Sequence, residues 1–522
     1  MSIFTQANTR RPKKSAFNLS HEVKQSMNWA KITPMYLQEI IPGDSFKVSS
    51  EIIARMAPML APVMHRINVK TDYFFVPNRI VWDGWKDFIT GGEDGQNNSS
   101  IPKVFLQTNN GHLFKPGTLS DYMGVPPIPD ATQTAETRYY NALPFRGYQE
   151  IFNEYYRDQN LQSKVNYSHG DELPSETENG QLLTIRTRNW EKDYFTSALP
   201  WAQKGNPVTA PIEFDYLSPN TVTDGAGTPI NEAGNIIVNA AGVLQESPDA
   251  GGTDGAAIIE NLDPDSTGID VNELRTAVKL QQWLERNARA GSRYVESILA
   301  HFGVRVPDYT AQRPIYLGGS KQPITVSEVL QQSATIVDGE EPHVNVPPSP
   351  QGNMAGHGIS MGAHGFKGKF TEHGYVIGVM TIMPRTQYQN GLHRTFTKDN
   401  KFDIYWPEFA QLGEQPVFNS ELNMDYAGSV ADSQATFGYQ SRYADMKYMP
   451  SRVAGNFRDN LSFWHLGRQF ANTPTLSEEF IQCDPRDDIF AVTEEGLDKF
   501  YVQIYHNVKA VRPIPAVNIP TL

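Results

Sequence analysis

The stretch FYVQIYHNVKAV, residues 500–511, alternates strictly enough to decide the fold class. Phe500, Val502, Ile504 and Val508 fall on one side of an extended chain, and Gln503, Asn507 and Lys509 fall on the other. That is the pattern of a strand with one face in a core and one in water. Working outward, three more runs have period-two or nearly continuous apolar character: Ser45 to Ile53, Arg66 to Val76 and Tyr375 to Met383. The second runs into Pro77, which has no N–H to donate and ends the ladder. Glycine (40) and proline (36) supply the turns between such runs. Helical spacing is confined to Phe145–Gln159 and to Asn272–Phe302, where Gly291 should break the second helix. No repeat of 20 to 50 residues recurs, which argues against a solenoid or propeller. The expected class is mainly β.

A chain of 522 residues can bury a large core without cross-links, and its single cysteine, Cys483, excludes an internal disulfide. The beginning, MSIFTQANTRRPKK, lacks the apolar core of a signal peptide, and the longest apolar runs are too short to span a bilayer, so secretory and membrane-inserted classes are not expected. The formal charge of −13 is unevenly placed. Between Lys204 and Arg275 no Lys or Arg occurs, while twelve Asp and Glu do, so the rest of the chain is close to neutral. Residues 1–31 have the opposite sign, with Arg10, Arg11, Lys13, Lys14, Lys24 and Lys31 against Glu22 alone. A flexible arm of that sign suits a polyanion: Arg10, Arg11, Lys13 and Lys14 would neutralise phosphates, and Phe4 and Phe17 would stack on bases.

Enzyme motifs were weighed against plainer readings. Gly358-Ile359-Ser360-Met361-Gly362 matches the G-x-S-x-G elbow, but its flanks show neither a leading apolar strand nor a following helix, and the run 350–368 reads as a Gly-rich surface loop. His343, His357, His364 and His373 lie nearby at spacings that fix no zinc geometry. Asp263-Pro264-Asp265 begins like a calcium loop, yet Leu274 stands where the bidentate Glu belongs. Asp263, Asp265 and Asp270 therefore stay candidate calcium ligands only.

Longer blocks go further. FNLSHE (17–22), LAPVMHR (60–66), YFFVPNRIVWDGW (73–85), FNEYYRDQN (152–160), DYFTSALPWAQKG (193–205), WLERNARAGSRY (283–294), QGNMAGHG (351–358), YWPEFA (405–410) and FWHLGR (463–468) together closely resemble the major capsid protein of microviruses. The resemblance is strongest to the gokushovirus branch of these small single-stranded DNA phages. It implies an eight-stranded antiparallel jelly roll with long insertions, sixty copies of which close a T=1 shell around circular single-stranded DNA. It also implies assembly in the bacterial cytoplasm, other phage structural or scaffolding proteins as partners, and a protrusion at the threefold axes that meets a host surface receptor. No enzymatic activity, cofactor or membrane insertion is implied. The chain then divides into a basic arm (1–31), a jelly-roll body (32–204 and 272–522) and the acidic protrusion (205–271). Residues 93–135, which match poorly, would form a second surface loop. Two alternatives remain at this point: a serine hydrolase using Ser360, and a glycan-binding jelly roll that never assembles.

Overall fold

A computed structural model describes residues 12–128, 137–206, 208, 222–223, 236–238, 244–246, 258–259, 271–291, 293–330, 354–492, 494 and 496–517. Nine strands form its main sheet: β1 (Ser15–Asn18), β2 (His21–Met27), β3 (Thr33–Ile40), β4 (Ser45–Met56), β5 (Ile67–Pro77), β6 (Ile315–Leu330), β7 (Met354–Lys369), β8 (Gly374–Pro384) and β9 (Phe500–Arg512). All pairings are antiparallel, in the orders β2–β9–β4–β7 and β3–β8–β5–β6, with β1 extending the pairing along β9. The two halves are continuous because β6 pairs with β5 up to Ile324 and with β7 from Thr325 onward. The eight strands of the two halves, β1 apart, curl in this order as the expected jelly roll.

The core lies between the halves. From β9 come Phe500, Val502, Ile504, Val508 and Ala510, from β4 Phe46, Val48 and Ile52, and from β5, β7 and β8 Val69, Tyr73, Phe366, Val376 and Met380. β5 is buried along almost its whole length, which accounts for its continuous apolar run: its other face, with that of β8, packs Phe74, Val76, Ile377 and Val379 against the helix Leu143–Ile151. β4 and β9 instead alternate buried and exposed along their length, so the outer face of β2–β9–β4–β7 is bare. A third apolar cluster, around Phe195, Tyr388, Val417, Phe437 and Phe480, supports the loops that follow β8.

Two sequence expectations need correction. Within the run 350–368, the described residues are strand rather than loop: from Met354 onward they form β7, paired with β6 from Met354 to Ile359 and with β4 from Ile359 onward. Its glycines reflect close approach, since a Cβ at Gly365 would collide with the Val48 carbonyl and one at Gly362 with Gln322. Nor is 93–135 merely a surface loop, because Val104, Leu106, Phe114 and Leu119 are buried in the second core. The helix break at Gly291 is as expected, with φ +96° between Val271–Ala290 and Tyr294–Phe302.

The chain divides into two compact units, 1–202 with 291–522, and 203–290. Within the second, Ile236–Val238 pairs with Leu244–Glu246 and Ile258–Ile259 with Val222–Thr223.

Candidate functional site

Ser360 is where a hydrolase reading fails. It lies inside β7 opposite Ala54, almost fully buried, and its hydroxyl donates to the Pro323 carbonyl at 2.9 Å. An elbow needs a strained turn that lifts the serine into solvent; a serine in mid-strand with its proton committed to a carbonyl has neither. His364, two rungs away in sequence alternation, spends its Nε2 on Gln322 Oε1 at 2.9 Å. Among the described residues no group of three His, Cys, Asp or Glu side chains is assembled for a metal. Asp263, Asp265, Asp270 and His343 lie outside the described residues, as do Arg10, Arg11 and Phe4.

Lys13 and Lys14 are exposed, just before β1. Lys14 Nζ donates to the Gly43 carbonyl at 2.5 Å, at the turn between β3 and β4. Beside it Arg512 pairs with the buried Asp44 at 3.0 Å. Phe17 stands in β1 opposite Ala510 and is half-buried.

The serine–histidine pair that does exist was not foreseen. His506 is fully buried on the core face of β9. Tyr73 O–H donates to Ser50 Oγ at 2.7 Å, Ser50 Oγ lies 2.6 Å from His506 Nδ1, and His506 Nε2 lies 2.8 Å from the Met35 carbonyl. A carbonyl only accepts, so Nε2 carries the proton and Nδ1 accepts from Ser50. Burial pushes the imidazole down to about 4, against a smaller upward pull from the Met35 carbonyl. The chain of bonds staples β3, β4, β5 and β9. The alternation of 500–511 was its only sequence signal, since residue 506 has core parity.

The loops after β8 present apolar side chains to solvent. Phe396, Ile404 and Leu412 are each more than half exposed, and Trp406 is nearly so. They are held rather than loose: Trp406 Nε1 donates to the Lys401 carbonyl at 2.7 Å, and the ring of Tyr405 meets that of Tyr443 edge-on at 4.9 Å. Among the described residues no helix is long and apolar enough to cross a membrane.

The family model for capsid protein (F protein) matches residues 5–522. The chain is 36% identical to capsid protein VP1 of Chlamydia phage 1, covering 99% of this chain and 97% of that one. It is 33% identical to capsid protein VP1 of Bdellovibrio phage phiMH2K, over 97% and 95% of the two chains, and 31% identical to that of Spiroplasma virus 4, over 98% and 95%. With a jelly roll, a sealed Ser360 and a match along nearly its whole length, the chain belongs to the capsid protein (F protein) family of microvirus-type phages.

Proposed function

We propose that the chain is the shell-forming subunit of a virion, sixty copies of which close a T=1 icosahedral capsid around circular single-stranded DNA in the bacterial cytoplasm. The observation that carries this reading is the full-length family match on a jelly-roll body. The exposed apolar surface around Ile404, Trp406 and Leu412 supports it, because burying such residues against neighbouring copies supplies association free energy that no single subunit can use. In this reading residues 205–271 form the threefold protrusion that meets a host receptor, its acidic charge keeping particles apart in solution. The basic arm with Arg10, Arg11, Lys13 and Lys14 meets the genome, and other phage structural or scaffolding proteins assist closure.

The test is negative-stain microscopy with analytical ultracentrifugation of the protein from its producing cells. Uniform icosahedral particles with threefold knobs are expected, and deletion of residues 218–270 should remove the knobs. Monomers or small oligomers alone, even with the phage partners co-expressed, would overturn the reading.

A further inference from the structure

The bare face of β2–β9–β4–β7 carries its charges in rows set by strand register. One rung, read across three strands, is Lys509–Lys47–Lys367. All three lysines are exposed, and Lys369, two residues further along β7, is exposed on the same side. Among the described residues no carboxylate forms an ion pair with any of the four. The nearest acids on this face, Glu22 and Glu51, flank Tyr505 two rungs away, with Asn507 and Ser49 between.

Directly opposed side chains on neighbouring strands have Cβ atoms about 4.5–5.5 Å apart, and like charges so placed destabilise a sheet. Three ammonium groups in one row, on a chain whose net charge is −13, are therefore a local cost to the isolated subunit. An anion that spans the row removes it. The row lies opposite the last residue of β1: Asn18 sits opposite Lys509 and Ser15 opposite Arg512, so the chain comes to the row from Lys13 and Lys14, which lie beyond Arg512. Between the row and the start of the basic arm lie the exposed, uncharged Asn18, Ala16 and Val511, so the arm's lysines follow the row across a short neutral stretch.

We propose that this lysine row is a phosphate-binding surface for single-stranded nucleic acid, and that the bare face of β2–β9–β4–β7 consequently lines the inside of the shell. This rests on the capsid reading above and adds the residues and the orientation. Binding here is through phosphate charge and counterion release, with no base read.

Lysine acetylation footprinting of whole particles tests the orientation. Lys47, Lys367 and Lys509 should be protected in nucleic-acid-filled particles and reactive in particles emptied of nucleic acid. Equal reactivity in both would put the face outside, and equal protection in both would mean that protein covers it; either result overturns the proposal while leaving the capsid reading intact. Binding of an oligo-dT to dissociated subunits tests the chemistry. The triple variant K47Q/K367Q/K509Q should bind at least tenfold more weakly, with the slope of log K against log salt flatter by about 2, at roughly 0.7 per lost cation. The variant K86Q/K401Q/K447Q, which removes three exposed lysines elsewhere, should keep the wild-type slope. Equal loss in both variants, or none in the first, would overturn the site. Melting in the absence of nucleic acid serves as the folding control, and there the row variant should be no less stable than wild type.

Discussion

His506 shows how one residue ties the sheets together and sets a pH limit. Its folded-state value of about 4 lies below the ordinary 6.5, so between those pH values the unfolded chain takes up a proton that the folded chain refuses. Stability is therefore unaffected by this group above pH 6.5, falls as pH drops through the window, and levels off below about 4. The slope from one such histidine is at most about 1.4 kcal/mol per pH unit. Thermal melting of His506→Gln across pH 4 to 7 should show a shallower acid dependence than wild type, and an identical dependence would sink the assignment. A second polar group illustrates the opposite balance. Burial alone would raise the Glu191 carboxyl, but hydrogen bonds from Lys321 and Lys70 outweigh it and hold it down at about 2. In the folded chain that group stays charged in this window, but the unfolded chain protonates it as pH approaches 4.5, so it adds its own acid slope to wild type and variant alike, and the difference between them reports His506.

At the scale of the element, β7 is the informative case. Periodicity found β4, β5, β8 and β9 because their apolar residues alternate or run together. It missed β7, MAGHGISMGAHGFKGK, because glycines stand where alternation would be read. Those glycines are demanded by the neighbours: Gly365 lies against the Val48 carbonyl of β4, and Gly358 against Met56. Gly365→Ala is expected to destabilise the fold by about 1–3 kcal/mol, the usual range for overpacking a tight site. Chemical denaturation of the isolated subunit measures this, and a neutral result would show that β4 can yield. The helices were legible for the reason that the first strands were, an apolar stripe at their own period, with Gly291 at φ +96° as the break.

For the whole molecule, assembly should depend on surfaces that add nothing to the stability of a single copy. Ile404→Asp and Leu412→Asp change exposed positions. Each is expected to leave the subunit's melting temperature within about 0.5 kcal/mol of wild type in free-energy terms. Each should also block particle formation, seen as subunits in sedimentation velocity and an absence of shells by microscopy. Normal shells from both variants would move the intersubunit contacts elsewhere.

By itself the sequence determined the β class, the strands β4, β5, β8 and β9, the helical stretches Phe145–Gln159 and Asn272–Phe302, the uneven charge, and, through the long blocks from FNLSHE to FWHLGR, membership of a capsid family. These are local or cumulative properties: alternation is written in neighbours, and family likeness in many short matches in order. Only the tertiary structure decided that Ser360 is sealed in a strand, that His506 is joined to Ser50 and Met35, and that Lys47, Lys367 and Lys509 form one row. Each of those depends on strand register between segments hundreds of residues apart, and a shift by one residue would send every side chain to the opposite face. Register is set by the packing of the whole core, so no window of sequence contains it.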